Sequence, residues 1–300
     1  MGERLINCFL IGAQKSGSTF LASLLARHEE ICVSTPKATN YFNTKFKKSY
    51  QITSYQEYVS CFQCADAKCL VDASDCYHVD SEAMKNIHEY NANAKVIMVI
   101  RNPFHMLLSL HQHLMWAGYE NVRDLNKAWS LQCDREGGSM IPMGCPSTSF
   151  LMYRDLCSIG SQVNSWCECF GSNNFRLVFL DDIGRHGSSE LNQLFKWLGV
   201  GLVDDGFIDS KTNNNEAVVQ RFPGLAFVNN MVPANLKVFL KGKLRILGFE
   251  LDGVLRKLNG KVANSNYEDY LFSQDIIEAL NVQIDLIERS TGRDLSGWKK

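Results

Sequence analysis

A turn of small and polar residues, residues 12–19, constrains the fold of this chain most strongly. The apolar residues 8–11 before it predict a buried strand, and residues 20–26 after it have helical spacing. Small residues let the backbone turn tightly, so that its N–H groups and those of the first helical turn point into one concavity. Because a helix N-terminus favours anions and Lys15 adds a positive charge, the turn predicts a cradle for phosphate or sulfate.

This turn differs from the standard loop that binds nucleoside triphosphates. Gly12 and Gly17 have the spacing of G-x4-G-K-[ST], but Ser18 occupies the lysine position and the lysine, Lys15, lies inside the turn. On this segment alone, an ordinary strand–turn–helix junction with a solvated lysine is the alternative to an anion site.

A second candidate anion site follows the clearest core strand, residues 95–100. Arg101 stands at the end of that strand, where its guanidinium can hold a phosphate through two hydrogen bonds. Pro103 begins the next predicted helix, residues 103–116, and Ser109 lies on the helix face that looks back to the same crevice. The alternative is an arginine with a structural partner and a buried serine.

Strands and helices alternate along the chain, which predicts an α/β fold with a central parallel sheet flanked by helices on both faces. The remaining extended segments are residues 31–37, 70–73 and 174–180. Further helices are predicted at residues 55–64, 81–90, 149–170, 188–198 and 273–291. No repeat or linker divides the sequence, so residues 1–300 are expected to form a single domain.

Ligands of such sheets bind beyond the carboxyl ends of the strands. Five chemically active residues follow predicted strands and should therefore converge on one crevice: Lys15, Lys37, Asp72, Arg101 and Asp181.

Composition excludes several classes of partner. The formal net charge of −1 gives no signature of nucleic-acid binding. No uninterrupted apolar run approaches the roughly 18–20 residues of a membrane span, so none is predicted. The first strand begins almost at the N-terminus, which leaves no room for a signal peptide, and a cytoplasmic protein is expected. The sequence does not define the oligomeric state.

The chain contains eleven cysteines. Without a secretory signal, free thiols in a reducing compartment are expected rather than a disulfide framework. Cys61 and Cys64 have the spacing of a zinc half-site, but no second pair or histidine pair follows at ligand spacing. Buried soft side chains are therefore expected, and no metal site is predicted.

The two anion sites together resemble the signature sites of the sulfotransferases, which use 3′-phosphoadenosine 5′-phosphosulfate (PAPS). In that family the first loop holds the 5′-phosphosulfate and an Arg…Ser pair holds the 3′-phosphate. Residues 35–42, 179–182 and 293–298 are similar to further family segments, so the likeness spans nearly the whole chain. The resemblance implies a P-loop-like sulfotransferase fold, PAPS as co-substrate and no metal requirement. The donor-binding residues that it implies are Lys15, Ser16, Gly17, Ser18, Thr19, Phe20, Arg101 and Ser109.

One position departs from the family pattern, because Ala38 stands where heparan-type members carry a glutamate general base. A different base, an inactivated variant, or an amine acceptor that needs little help would each explain the change. Candidate substitutes are Asp72, His111 and His113, since histidine has a suitable pKa, although each could equally have a structural role. Lys15 is the predicted catalytic cation that stabilises the leaving group.

The expected activity is sulfuryl transfer to a hydroxyl or amine of a small-molecule, natural-product or glycan acceptor. Residues 137–148 and the basic segment 231–261 are the predicted acceptor walls. Two other functions stay open: a nucleoside or small-molecule kinase, and a PAPS-binding protein weakened in catalysis by Ala38.

Overall fold

The computed structural model describes residues 5–46, 51–208 and 270–300, together with the backbone of residues 218–220 and 260–262. Most of the predicted acceptor wall 231–261 lies outside the described residues. So do the side chains of its basic residues, Lys237, Lys241, Lys243, Arg245, Arg256, Lys257 and Lys261.

A five-stranded parallel sheet forms the centre of the molecule, which confirms the predicted fold class. Its strands are β1 (Cys8–Gly12), β2 (Ile31–Val33), β3 (Cys69–Asp72), β4 (Lys95–Ile100) and β5 (Phe175–Phe179), in the order β2-β3-β1-β4-β5. The central strand β1 pairs in parallel with β3 and β4, and its register against β4 shifts between Leu10 and Gly12, where the chain enters the small-residue turn.

Helices cover both faces of the sheet. They are α1 (Ser18–Leu25), α2 (Tyr55–Ser60), α3 (Ser81–Tyr90), α4 (Pro103–Ala117), α5 (Leu125–Ser130), α6 (Gln132–Glu136), α7 (Tyr153–Cys157), α8 (Ile159–Phe170), α9 (Leu180–His186), α10 (Ser188–Leu198) and α11 (Gln274–Thr291). Phe9 and Ile11 join a core with α3, α4, α8 and α11 on one face. Cys8 and Leu10 join a core with α1, α9 and α10 on the other face, as the alternation of a strand requires. A further antiparallel pair, β6 (Val218–Gln220) with β7 (Gly260–Val262), lies outside this sheet.

The predicted helix over residues 149–170 is wrong as a single element. The structure divides it into a 3-10 turn, Thr148–Leu151, followed by α7 and α8. The backbone N–H of Arg154 bonds to the Gln132 side-chain oxygen at 2.6 Å, and Ser158 bonds the Arg154 carbonyl through its own hydroxyl. These side-chain hydrogen bonds replace part of the helical ladder and permit the breaks.

A disulfide between Cys32 and Cys64 departs from the expectation of free thiols, while the other nine cysteines are thiols. The fold brings β2 against the segment after α2, so that the two Cα atoms lie 5.8 Å apart. Sequence spacing could not show this pairing, because it depends on the packing of two distant segments.

Among the residues described here, no group of three or more His, Cys, Asp or Glu side chains is placed to hold a metal ion. No helix in the same residues is long and apolar enough to cross a membrane.

Candidate active site

Two glycines allow the turn between β1 and α1 to form. Gly12 has φ +138°, and a Cβ added there would lie 2.7 Å from Nδ1 of His78. Gly17, the N-cap of α1, has φ +95°, and a Cβ there would lie 2.6 Å from Cδ1 of Leu180. Because both the backbone angles and the space exclude a side chain, the turn requires glycine at these positions.

The interior of this turn is suited to an anionic oxygen. The turn is fixed to the sheet by the Ala13 N–H, which donates to the Val99 carbonyl at 2.8 Å. No side chain in the described part of the chain caps the N-terminus of α1. The Ser16 hydroxyl is buried and has no hydrogen-bond partner among the described residues, although a buried hydroxyl normally has one. A phosphate or sulfate oxygen would supply that missing partner, so the turn fits the anion that the sequence predicts.

The other predicted donor-site residues of this turn differ in exposure. Ser18 is buried at the first position of α1, Thr19 is exposed, and Lys15, Gly17 and Phe20 are half-buried.

The two predicted anion sites meet at one edge of the sheet. Nη1 of Arg101, just after β4, donates to the backbone carbonyl of Lys15 at 3.4 Å. This contact places the guanidinium beside the turn, as the parallel topology predicts. Asn102 accepts a hydrogen bond from the Phe104 N–H at 2.9 Å and caps α4, while Pro103 occupies its first turn.

Ser109 lies on the half-exposed stripe of α4, which also carries His105 and Gln112 at helical spacing. Ser109 lies eight residues, about two helical turns, after Arg101 in the chain, and its role at the crevice stays a prediction.

Lys37 has a contact with the turn that the sequence did not predict. Its ammonium donates to the Thr19 hydroxyl at 3.2 Å, so a second lysine reaches the start of α1. The sequence predicted Lys37 at the crevice because it follows the strand β2. Its contact with Thr19 depends on the path of residues 34–37 after that strand, which the sequence does not show.

Asp72, a predicted base, is wholly buried. Its Oδ2 accepts hydrogen bonds from Thr39 at 2.8 Å, Tyr77 at 2.9 Å and Tyr58 at 3.2 Å, and its Oδ1 accepts one from Ser74 at 2.7 Å. Burial raises the pKa of this carboxyl above its ordinary value, while the four hydroxyl donors act in the opposite direction. Asp72 is therefore enclosed by protein hydroxyls rather than open to an acceptor.

The two candidate histidines have different surroundings. Nε2 of His111 lies 2.8 Å from the Val122 carbonyl, and the ring is buried near Tyr153. Burial lowers the pKa of His111, and the backbone hydrogen bond opposes this shift. His113 is exposed on α4. Two positions along a helix lie roughly 200° apart around its axis, so the two histidines face different directions.

The C-terminal segment completes this edge of the sheet. Arg293 forms a two-point ion pair with Asp182, in which Nη2 donates to Oδ1 at 2.7 Å, and its guanidinium lies 4.0 Å from the Phe179 ring centroid. The Trp298 carbonyl accepts from the Asn102 side chain at 3.4 Å. The arginine holds the pKa of Asp182 below its ordinary value. Sequence reasoning found both segments but not their contact, and it placed Asp182 at a strand end rather than in the first turn of α9.

Comparison with known proteins identifies the family. A model of the sulfotransferase domain matches residues 6–215 of the chain. The chain belongs to the sulfotransferase family.

Two further comparisons show which proteins this member of the family is similar to. It is 26% identical over 202 residues to the Caenorhabditis elegans bifunctional heparan sulfate N-deacetylase/N-sulfotransferase 1, a match that covers 65% of this chain and 22% of that protein. The match thus spans about a fifth of the relative's length. A crystal structure of a sulfotransferase from Alicyclobacillus acidocaldarius overlaps with a TM-score of 0.66 at 17% identity, covering 99% of this chain and 100% of that chain.

Proposed function

We propose that this sulfotransferase moves the sulfuryl group of PAPS to a hydroxyl or amine of a small-molecule, natural-product or glycan acceptor. The observation that carries the proposal is the contact of the Arg101 guanidinium with the Lys15 carbonyl. The contact brings the turn, which is suited to one anion, next to Arg101, which is suited to a second anion. PAPS carries phosphate groups at both its 5′ and 3′ positions.

In this proposal, the turn and the Arg101–Ser109 pair bind different parts of PAPS. The backbone amides from Gly17 to Phe20 and the hydroxyls of Ser16, Ser18 and Thr19 hold the 5′-phosphosulfate. The buried Ser16 hydroxyl, which has no partner among the described residues, supports this part of the assignment. Arg101 and Ser109 hold the 3′-phosphate.

Catalysis in this proposal rests on positioning and on stabilisation of charge. When bound, PAPS supplies an activated sulfuryl group, whose bond to the 5′-phosphate breaks as the acceptor oxygen or nitrogen bonds to sulfur. Lys15 and the amides of the turn stabilise the negative charge that grows on the departing phosphate oxygen.

We assign no general base among the side chains that the structure describes. Ala38 has no proton-accepting group, Asp72 is enclosed by four hydroxyls, and the Val122 carbonyl binds His111. The exposed His113 stays a candidate. An amine acceptor fits this arrangement best, because a neutral nitrogen attacks through its lone pair and releases its proton afterwards.

The test is transfer of labelled sulfuryl from PAPS by the purified full-length chain to a panel of amines, phenols, alcohols and glycans. We expect a labelled product and a loss of about 10²–10³-fold in kcat for Lys15→Ala, as when one stabilising donor is removed from a reacting oxygen. Lys85→Ala, an exposed lysine on α3, is the matched control and should retain activity.

Each alternative predicts a different result in this assay. Phosphoryl transfer from ATP–Mg²⁺ without transfer from PAPS would favour a kinase. Binding of PAPS without turnover across the panel would favour the non-catalytic function.

A further inference from the structure

A buried carboxylate lies directly beneath the segment that carries Lys37. Asp72 ends β3, and four hydroxyl groups from three separate segments donate to its two oxygens: those of Thr39, Tyr58, Ser74 and Tyr77. An ionised carboxylate has acceptor sites for all four of these donors. A buried charge is retained in a protein when it is hydrogen-bonded as fully as this one.

Two of these hydroxyls extend the network into the backbone of the Lys37 segment. The Tyr41 N–H donates to the Thr39 hydroxyl at 3.3 Å, and the Asn40 N–H donates to the Ser74 hydroxyl at 3.0 Å. Asn40 has φ +54°, a left-handed conformation that needs support from its surroundings. Asp72 thus fixes the turn that follows Lys37 through its hydrogen bonds to Thr39 and Ser74.

The other side of this segment is also fixed. The Ser34 hydroxyl donates to the Lys37 carbonyl at 2.6 Å, so the backbone of Lys37 is held from both directions. With the backbone in place, the Lys37 ammonium reaches the Thr19 hydroxyl at the start of α1.

We infer that Asp72 is a positioning residue, which acts through Thr39 and Ser74 to hold the Lys37 ammonium at the start of α1, where it contacts the oxygens of the sulfuryl group. The contact with the sulfuryl group rests on the proposed function. In this inference Lys37 adds a second positive charge to that of Lys15, and both lysines stabilise the negative charge of the transferring group and the departing phosphate.

A double-mutant cycle between Asp72 and Lys37 tests this inference. Asp72→Asn and Lys37→Ala should each lower kcat by about 10–100-fold, and the double variant should lie within about threefold of the weaker single variant, because residues that act through one another do not add. If the fold-loss in kcat of the double variant equals the product of the two single fold-losses, the inference is overturned. The pH–rate profile separates positioning from base catalysis: a positioning role lowers the plateau and keeps the acidic limb, whereas loss of that limb in Asp72→Asn would make Asp72 the base.

Asp80 provides a matched control. It is also buried, but its carboxylate holds Thr44 and Lys45 and caps α3 rather than binding Thr39. The effect of Asp80→Asn on kcat should multiply with that of Lys37→Ala. If Asp72→Asn does not fold, Thr39→Val and Ser74→Ala replace it in the cycle, and Thr39→Ser, which keeps the hydroxyl, should retain coupling to Lys37.

Hydrogen exchange gives a second readout that needs neither donor nor turnover. In Asp72→Asn, peptides that cover residues 37–43 should exchange at least tenfold faster than in the unmodified chain, while those from β4 should be unchanged. Unchanged exchange over residues 37–43 would overturn the inference even in an active enzyme. If the unmodified chain has no sulfuryl-transfer activity but Asp72→Asn still speeds exchange over residues 37–43, the positioning role is supported and the proposed function is refuted.

Discussion

Arg293 and Asp182 form a two-point ion pair across 111 residues of sequence. The pair ties the C-terminal segment to the first turn of α9, directly after β5. Trp298 of the same segment accepts a hydrogen bond from Asn102, the neighbour of Arg101. The C-terminus therefore supports the sheet edge on which the candidate 3′-phosphate site stands.

This ion pair should make stability depend on pH in the acidic range. Because Arg293 lowers the pKa of Asp182 in the folded chain, the pair stabilises above the ordinary aspartate value of about 3.9 and is lost as the pH falls through the lower folded value. Asp182→Asn should therefore lower the free energy of unfolding at pH 7 by about 1 kcal/mol, a modest amount because solvent screens a partly exposed pair. Urea titrations at pH 7 and pH 3 measure this, and an equal difference at both values would contradict it.

Gly17 should tolerate no side chain. Gly17→Ala places a Cβ 2.6 Å from Leu180 on a backbone with positive φ, so we expect a loss of about 1–3 kcal/mol in stability together with weaker binding of nucleotide. Gly184→Ala is the matched control, because it lies in α9 with no heavy atom within 4 Å of the added Cβ. Thermal melts of both variants measure this, and Gly184→Ala should be neutral or slightly stabilising. Equal melting temperatures for the two variants would show that the turn is not constrained as described.

Arg101 should act on donor binding more than on turnover. Removal of a charge-assisted hydrogen bond from the 3′-phosphate costs about 1.5–3 kcal/mol, so Arg101→Ala should raise the KM for PAPS by about 10–100-fold with a much smaller change in kcat. The exposed Arg185 on α9 supplies a control, since Arg185→Ala should leave both parameters unchanged. A fall in kcat without a change in KM would assign Arg101 to the reaction itself.

His111 should make the chain less stable in mild acid. Burial lowers its pKa in the folded state, so the unfolded chain binds the proton more readily and stability falls as the pH drops below about 6.5. His111→Gln keeps a donor for the Val122 carbonyl but does not titrate. Between pH 7.5 and pH 5.5 the unmodified chain should lose more stability than this variant, and identical losses would contradict the structural role.

Local patterns predicted the sheet and the two segments that carry the candidate anion sites, because each segment depends on neighbouring residues. The apolar run of β4 and the small-residue turn after β1 are examples. The parallel topology of the sheet was enough to predict that Arg101 lies near Lys15. The features that the sequence did not reveal depend on pairs of distant groups. Cys32 pairs with Cys64, Arg293 with Asp182, and the Gln132 side chain interrupts the predicted helix at Arg154.

Asp72 shows the same limit at the site itself. Its place after β3 predicted a residue at the crevice, and the strand does end there. Its complete burial follows from hydroxyls contributed by the segment of Thr39, by α2 and by the turn that follows β3, none of which has a sequence pattern that points to Asp72.

The most direct test of the central claim is calorimetric titration of the purified chain with 3′,5′-diphosphoadenosine and, separately, with adenosine 5′-phosphate. If the turn and Arg101 hold opposite ends of one nucleotide, the diphosphate should bind at least tenfold more tightly, and Arg101→Ala should remove most of that difference. Equal affinities in the unmodified chain, or no binding of the diphosphate, would contradict the account.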